Sequence, residues 1–375
     1  MWKVQLFKLN YDDREERAVS DVIKSGWITM GQKTIDFETK FAHYLGEDVK
    51  CTAVSSCTAA LHMALMALDV KSGDEVIVPA LTFIAGLNVV TISGATPVLA
   101  DCTSYKNWNI DPEDIRKKIT KRTKAIMIVH FAGYPCDMDE ILKICKEYNL
   151  YLIEDVAHAP GGEFKGKKLG TFGDISCFSF FTNKNLSVGE GGMFVTKFDE
   201  LGKNGRLLRS HGMSSPTLDR FKGRAITYDI EHPGVNYRID EMRAALGLVQ
   251  LEKLENANKQ RNELVKKYKE RLNSIEGIEI PFDYDFEGKS TYHIFPVLLG
   301  IGIDRVKIIS ILKEEGVQSS IHYPAFSDFS AYHNFNSKDT PIASEISSRE
   351  LTLPLYPTMT DNDIDTVVDA LNKAL

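Results

Sequence analysis

The sequence predicts an α/β protein whose larger part contains a mostly parallel, mixed sheet flanked by helices, followed by a smaller α+β part. Short runs rich in Val, Ile and Phe recur through the first half of the chain, as is typical of strands buried on both faces. Helical patterns separate several of these runs, and such alternation indicates a parallel sheet. We therefore expect ligands to bind at the carboxyl ends of the strands.

The larger part contains six predicted strands and three predicted helices. The strands are residues 75–78, 96–101, 124–130, 150–155, 174–181 and 191–196. The helical patterns are residues 57–68, 111–119 and 138–148. Asp111 and Pro112 favour the start of the second helix, because Asp accepts hydrogen bonds at an N-cap and Pro fits the first turn.

The pattern changes near residue 240. A long helical tract covers residues 239–272 and has apolar residues on one face. Three further elements follow it, an apolar run and two helices, at residues 291–299, 305–316 and 361–375. The predicted domains are therefore 1–240, a large α/β domain, and 241–375, a connecting helix with a small α+β domain. The N-terminal segment is a candidate to pack on the small domain.

Composition and charge narrow the class of protein. The net charge is −7 and basic runs are short, which argues against nucleic acid as a partner. The N-terminus lacks the pattern of a signal peptide, and no apolar run reaches the roughly 18 residues of a spanning helix. The six cysteines form no C-x-x-C pair and are expected to be free thiols. These features predict a cytoplasmic protein without a metal site.

Lys184 and Asp155 together carry the chemical prediction. Asp155 ends a predicted strand, and Lys184 lies in a turn between two predicted strands. Taken alone, Asp155 is better explained as a loop cap and Lys184 as a surface lysine. Together they suit pyridoxal phosphate, which requires a lysine for its Schiff base and an acid beside its pyridine nitrogen. The apolar setting that would activate the lysine is expected from the flanking residues Phe180, Phe181 and Leu186.

A phosphate site is predicted at residues 55–58. Small and hydroxyl-bearing residues there precede an apolar helix, so free backbone N–H groups and the helix dipole would face an anion. The same residues are also explained as a serine-rich N-cap. This signal is weak without the Lys184–Asp155 pair.

Motifs along almost the whole chain match one family. They include "SGWITMGQKTIDFETKFAHYLG", "AVSSCTAALHMAL", "RSHGM", "GVNYRIDEMRAALGLVQLEKL", "IHYPAF" and, most specifically, residues 153–196. On these motifs the chain resembles the DegT/DnrJ/EryC1/StrS family of pyridoxal-phosphate aminotransferases, which act mostly on nucleotide-linked keto sugars. The resemblance implies the fold type I architecture of these transferases.

The resemblance also implies roles for individual residues. Lys184 matches the lysine that bonds to the cofactor and moves the proton between the two reacting carbons. Asp155 matches the partner of the pyridine nitrogen, and His158 lies where the family has Gln or His near the ring hydroxyl. Phe83 matches the aromatic residue that stacks on the ring. Because Lys184 is present, the dehydrating members of the family, which carry His there, are a poor match.

Further matches concern the phosphate and the substrates. Phosphate contacts are implied for the backbone at Cys57, where Gly is frequent in the family, and for Thr58, Ser179 and Asn236. The Asn236 contact would come from a neighbouring subunit, which implies a homodimer with shared active sites. Arg238 and His322 are candidates for the acceptor side, although His322 is equally explained as a packed core histidine.

The implied reaction moves an amino group from an amino acid, with L-glutamate the expected donor, to a nucleotide-linked keto sugar. Three alternatives stay open: a small phosphorylated ketone as acceptor, an inositol-like keto ring as acceptor, or a regulatory protein that binds the cofactor without catalysis.

Two other functions are excluded on motif chemistry. Residues 161–168 have the glycine and lysine spacing of a P-loop, but Lys168 stands where a hydroxyl group must bind Mg²⁺, and no apolar helix follows. A nicotinamide dehydrogenase is excluded because no G-x-G-x-x-G lies between a strand and a helix.

Overall fold

The computed structural model describes residues 2–46, 48–215, 223 and 227–375. Its α-helices are α1 (Asp13–Ser25), α2 (Gln32–Leu45), α3 (Cys57–Ala67), α4 (Ala85–Ile92), α5 (Pro112–Lys118), α6 (Met138–Tyr148), α7 (Asp199–Arg209), α8 (Glu241–Leu272), α9 (Arg305–Glu314), α10 (Pro341–Arg349) and α11 (Asp361–Ala374). Its strands are β1 (Lys50–Val54), β2 (Glu75–Pro79), β3 (Thr96–Ala100), β4 (Thr123–Val129), β5 (Tyr151–Asp155), β6 (Glu163–Phe164), β7 (Lys167–Lys168), β8 (Ile175–Ser179), β9 (Gly192–Thr196), β10 (Ile278–Glu279), β11 (Gly288–Lys289), β12 (Phe295–Leu299) and β13 (Glu350–Leu353).

The largest sheet has seven strands in the order β1-β9-β8-β5-β4-β2-β3. Neighbouring strands are parallel from β8 through to β3, whereas β9 runs antiparallel to both β1 and β8. The predicted mostly parallel, mixed sheet is therefore confirmed, and each of its six predicted strands is present within about two residues of its predicted ends. β1 was not predicted, because its sequence "KCTAV" is short and only partly apolar.

Core packing follows from the apolar faces of the helices. Phe37 and Phe41 of α2 are fully buried, and both rings pack against Phe180 at centroid distances of 5.3 and 5.5 Å. Each ring of this kind contributes roughly 1.5–3 kcal/mol when it leaves water. The close approach of α8 depends on Gly247, because a Cβ there would lie 2.6 Å from the Phe37 ring. A second core cluster forms around α3 and α4.

A separate three-stranded antiparallel sheet, β10-β12-β13, lies in the C-terminal part of the chain. It shares a hydrophobic cluster with the C-terminal half of α8 and with α9 and α11. Val4 belongs to the same cluster and forms a parallel bridge with Val317, so the N-terminal segment packs on this unit. The domain boundary near residue 240 stays a prediction.

The longest described helix is α8, with 32 residues. Polar residues such as Gln250, Asn258 and Arg261 are buried along it, so its face toward the protein is not purely apolar. Across the described parts of the chain, no helix is both long and apolar enough to cross a membrane.

Residues 161–168 form a small hairpin and not a phosphate-binding loop. β6 pairs with β7 in antiparallel register, with Phe164 opposite Lys167. β11, from the C-terminal part, adds to the other edge of β6. The P-loop-like spacing is therefore a coincidence of a turn that contains Gly166, whose φ of +77° favours glycine.

Candidate active site

A pocket of about 350 Å³ lies at the carboxyl ends of β2, β5 and β8, beside the N-terminus of α3. This is the edge at which a parallel sheet presents its ligand-binding side chains. Eight of the sequence-predicted site residues line it, namely Cys57, Thr58, Phe83, Asp155, His158, Ser179, Lys184 and His322. Residues that are up to 265 positions apart in sequence are thus brought to one cavity.

Lys184 lies in the connection from β8 to β9, in a turn closed by its N–H, which donates to the Phe181 carbonyl oxygen over 2.9 Å. Burial lowers the pKa of its amine to about 8, against the opposing charge of Asp155. Phe181 lines the pocket, as predicted for a residue that gives Lys184 an apolar setting. Phe180 and Leu186 do not line it, because both side chains point into the core.

The two neighbouring acids of β5 point to opposite sides of the sheet, since successive side chains alternate along a strand. Asp155 lines the pocket and accepts a hydrogen bond from the Ala157 N–H over 2.9 Å. Burial raises the pKa of Asp155, and the Ala157 N–H and the Lys184 charge oppose this only in part. Cys57 Sγ lies 3.9 Å from its carboxylate.

Glu154 faces away from the pocket and is surrounded by hydrogen-bond donors. Its carboxylate accepts from the side chains or backbone N–H groups of His130, Gly170, Phe172, Gly173 and Ser176, over 2.6–3.2 Å. Burial alone would raise the pKa of Glu154, but His130 and the Gly173 and Gly170 N–H groups lower it overall. Glu154 is therefore a structural acid, whereas Asp155 keeps unused acceptor capacity toward the cavity.

His158 contributes a neutral imidazole to the pocket. Its Nδ1 accepts from the Ala132 N–H over 3.3 Å, so Nε2 carries the proton and donates to the Tyr323 hydroxyl over 2.9 Å. Burial, and then the charge of Lys184, lower the pKa of His158 well below its ordinary value. His158 can therefore orient a ligand oxygen but does not carry positive charge.

The N-terminus of α3 forms the base of the pocket. Ser56 caps the helix by accepting from the Ala59 N–H over 3.1 Å, which leaves the N–H groups of Cys57 and Thr58 at the open end. Gly192 makes this approach possible, because a Cβ there would lie 2.5 Å from the Ser56 carbonyl carbon. With Ser179 beside it, this end of the pocket is suited to an anion.

Phe83 and His322 occupy the opposite side of the pocket. The Phe83 side chain is 56% exposed, so its ring can cover a ligand from the open side. The His322 ring is buried, and its Nδ1 lies 2.9 Å from Thr352 Oγ1. Burial, and then the Lys184 charge, lower the pKa of His322 to about 3. His322 is therefore packed as a core histidine and also lines the pocket, so the core role and a role on the acceptor side are compatible.

Asn236 and Arg238 lie outside this pocket. Asn236 is exposed and bridges Ser210, whereas Arg238 lines a second cavity of about 210 Å³ that includes Arg206 and Arg209. The two residues therefore do not reach the site of their own chain. That Asn236 reaches the site of a neighbouring subunit stays a prediction.

The sequence analysis missed several residues of the site. Tyr323 lines the pocket directly after His322, and His293 lies 3.2 Å from the Lys184 amine. The only signal for His293 is a histidine next to an apolar run, which is not specific. Asn183, next to Lys184, also lines the pocket. In the described parts of the chain no cluster of His, Cys, Asp or Glu is arranged to hold a metal ion.

The pocket residues fit pyridoxal phosphate. An amine with a lowered pKa and a buried carboxylate face the same cavity, and a helix N-terminus lies at its base. The Asn183 Oδ1 atom is buried and has no hydrogen-bond partner among the described residues, as expected where a bound polar group would supply one.

Comparisons with known proteins agree with this geometry. Bacillus subtilis SpsC, a spore coat polysaccharide biosynthesis protein, is 38% identical over 95% of this chain and 93% of its own. Streptococcus pneumoniae Spr1654, whose name describes a sugar aminotransferase, has been solved in PMP and PLP forms. Its PMP form has a TM-score of 0.90 and 30% identity, covering 97% of both chains.

A third relative is Helicobacter pylori PseC, an aminotransferase involved in the biosynthesis of pseudoaminic acid. Its TM-score is 0.90 with 28% identity, covering 100% of this chain and 98% of its own. Residues 10–372 match the DegT/DnrJ/EryC1/StrS aminotransferase family, which has sugar aminotransferases among its members. The chain therefore belongs to the DegT/DnrJ/EryC1/StrS family of pyridoxal-phosphate-dependent aminotransferases.

Proposed function

We propose that this enzyme transfers the amino group of L-glutamate to a keto group on a nucleotide-linked sugar. The observation that carries the chemistry is the Lys184 amine, with a pKa of about 8, in one pocket with the Asp155 carboxylate. Such an amine is partly neutral near physiological pH, whereas an ordinary lysine is almost fully protonated, and its neutral form can accept a proton from carbon.

The pocket would hold the cofactor by three sets of groups. The N–H groups of Cys57 and Thr58 with the Ser179 hydroxyl would bind its phosphate. Phe83 would cover the ring, and the His158 Nε2–H would lie near the ring hydroxyl. When bound, pyridoxal phosphate supplies a ring that takes up the electron pair left when the C–H bond beside the amino group breaks.

Lys184 is the proposed proton carrier. In the first half-reaction its neutral amine would take the proton from the α carbon of the amino donor and become an ammonium group, which would later release that proton on the cofactor side. In the second half-reaction Lys184 would make the same two proton transfers in the reverse order, with the keto acceptor in place of the keto product of the donor. The Asp155 carboxylate would hold the proton of the ring nitrogen, because a buried negative charge stabilises a buried positive one.

The sugar acceptor is supported by the relatives. SpsC is named for spore coat polysaccharide biosynthesis, and PseC is described as involved in the biosynthesis of pseudoaminic acid. We place the acceptor at the open side of the pocket, near Phe83 and His322, with Arg238 of a second copy as a further candidate contact. A small phosphorylated ketone or an inositol-like keto ring would react by the same chemistry, so both are tested as acceptors alongside the nucleotide-linked keto sugar.

The visible absorption spectrum of the purified protein tests this proposal. A yellow band that bleaches on addition of L-glutamate is expected, and the bleached protein should regain its colour with a nucleotide-linked keto sugar. Recovery only with a phosphorylated ketone or an inositol-like ketone would overturn the acceptor assignment. A band that does not change on addition of L-glutamate would exclude L-glutamate as the donor. The absence of any band after addition of pyridoxal phosphate would exclude Lys184 as the residue that bonds to the cofactor.

Shared active sites are also proposed, because Asn236 is exposed and lies outside the pocket of its own chain. Lys184→Ala and Asn236→Ala variants should each lose activity as separate preparations. Unfolded together and refolded as a mixture, they should regain activity, since a hybrid dimer has one site with both native residues. A mixture that stays as inactive as its components would refute sharing, and a mixture of two portions of Lys184→Ala is the control.

A further inference from the structure

Among the described residues, His293 forms a hydrogen bond with the side-chain amine of Lys184. His293 Nε2 lies 3.2 Å from Lys184 Nζ, although the two residues are 109 positions apart in sequence. The imidazole is buried and lies beside the ring of His158, at a centroid distance of 4.5 Å. The contact raises the question of which partner donates the hydrogen.

A chain of amide groups answers this question. Asn258 Nδ2 donates to the Pro160 carbonyl oxygen over 3.0 Å, so Asn258 Oδ1 is the atom that accepts from Asn185 Nδ2 over 2.8 Å. Asn185 Nδ2 also donates to the Thr291 carbonyl oxygen over 2.9 Å. Carbonyl oxygens only accept hydrogen bonds, so both amides have one possible orientation.

The same chain sets the tautomer of His293. With its NH₂ group used in this way, Asn185 presents Oδ1 to His293 Nδ1, at 3.1 Å. Nδ1 must therefore carry the ring proton, and Nε2 is left with a free electron pair. The Lys184 amine is then the donor and Nε2 the acceptor.

Burial and the charges around His293 keep its ring neutral. Burial, and then the positive charges of Lys184 and Arg261, lower the pKa of His293 well below its ordinary value. Arg261 donates to the His293 carbonyl oxygen over 3.2 Å, which places a fixed cation close by. His293 is therefore a weak base beside the Lys184 amine, and its Nε2 accepts a hydrogen bond from that amine.

We propose that His293 is a positioning residue that orients the Lys184 amine and stabilises its protonated form. The inference rests on the proposed function of Lys184. When Lys184 takes the proton from the substrate carbon, a C–H bond breaks, an N–H bond forms and the electron pair stays with the substrate and its cofactor. The new ammonium group then donates to His293 Nε2, which holds it in place until it returns the proton.

The side chain is not needed to hold the local backbone. The His293 N–H donates to the Ala132 carbonyl oxygen over 2.8 Å, and this bond is independent of the ring. Substitutions can therefore change the acceptor while this backbone contact stays. His293→Phe keeps a ring but has no acceptor, whereas His293→Gln keeps an acceptor oxygen.

The experiment measures the proton affinity of Lys184 in the apoprotein, where no transamination takes place. Cyanate reacts with neutral amines, so the rate at which Lys184 is carbamylated, followed by peptide mass spectrometry, gives the pH midpoint of the amine. We expect a midpoint of about 8 for the native protein. His293→Phe should lower it by about one pH unit or more, a tenfold change in proton affinity, and His293→Gln should stay within about half a unit of the native value.

An unchanged or raised midpoint in His293→Phe would overturn the proposal, as would equal shifts in the Phe and Gln variants, which would indicate a packing effect. His333→Leu changes an exposed histidine and is the matched control. If the His293 variants fail to fold, the ¹⁵N spectrum of histidine-labelled native protein gives the tautomer directly. A proton on His293 Nε2 would then refute the assignment.

The bleaching by glutamate and the pH midpoint of Lys184 test the proposed reaction and the role of His293 separately. Native protein that fails to bleach with glutamate but whose Lys184 midpoint depends on His293 would contradict the proposed reaction and keep the contact. In the cofactor-loaded enzyme, His293→Phe should also shift the pH profile of the first half-reaction, whereas a purely structural effect would lower its rate at every pH alike.

Discussion

The pocket has two walls of different chemical character. The sheet wall, formed by Asp155, Ser179 and Lys184, contains an acid and an amine that line the same cavity. The C-terminal wall, formed by His322 and Tyr323 with His293 behind it against the Lys184 amine, contains groups that burial keeps neutral. Burial lowers the pKa of both histidines and raises that of Tyr323.

The difference shows how one cavity separates two tasks. In the proposed reaction, the charges that change belong to the sheet wall, whose side chains leave the ends of β5 and β8 or the turn that follows β8. The C-terminal wall offers hydrogen bonds without adding charge, so it can orient the reacting groups while leaving the Asp155–Lys184 pair as the dominant electrostatic interaction. The following predictions test this division, from the largest expected effect to the smallest.

Lys184→Ala should have the largest effect on the rate, because it removes the amine that we propose carries the proton. Multiple-turnover amino transfer, measured as formation of aminated product, should fall by at least about 10³-fold. Lys121→Ala, at an exposed loop position, is the control and should keep the native rate. A Lys184→Ala rate within tenfold of native would show that the charged groups of the sheet wall do not carry the reaction.

Asp155→Asn should lower the rate of the first half-reaction by about 10²–10³-fold, as for the loss of one well-placed electrostatic group. The amide has nearly the same shape, so the Ala157 N–H keeps its acceptor and the fold should be unaffected. Stopped-flow bleaching with glutamate measures the rate. A near-native rate with bound cofactor would remove Asp155 from the proposed mechanism.

Glu154→Gln tests the other face of the same strand. The substitution removes a charge that five donors surround, so the free energy of unfolding should fall by about 2–3 kcal/mol. Chemical denaturation measures this change. The rate of the folded variant should stay close to native, and a loss of rate as large as that of Asp155→Asn would contradict the assignment of Glu154 as a structural acid.

Glu350→Gln should have the smallest effect, and one that depends on pH. Glu350 lies behind the C-terminal wall, where it accepts from the His322 N–H over 2.7 Å. Burial raises the pKa of Glu350 to about 8. Between the ordinary carboxyl pKa and about 8, the folded protein keeps this proton while the unfolded chain has lost it, so stability should fall as pH rises through this window.

Gln cannot ionise, so Glu350→Gln should match the native protein near pH 5 and be more stable by about 1–3 kcal/mol near pH 9. Thermal unfolding at a series of pH values measures the difference. Identical pH dependence in the two proteins would mean that Glu350 is charged in the fold, and the C-terminal wall would then not be neutral.

The sequence alone determined the α/β class, six of the seven strands of the main sheet and the pairing of Lys184 with Asp155. The reason is local: apolar runs and helical periods repeat over a few residues, and a parallel sheet collects its strand ends at one edge whatever the strand order. The resemblance to one family then assigned roles to these residues and added Phe83, His158 and Ser179.

Only the tertiary structure decided which neighbours these residues have. It sets the antiparallel direction of β9, turns Phe180 into the core, and brings His293 from the C-terminal part to Lys184. Such contacts depend on how separately folded segments pack, and nothing in the sequence beside His293 records its distance from Lys184. Local sequence thus determines which chemical groups the chain offers, while packing between distant segments determines their charge, tautomer and partners.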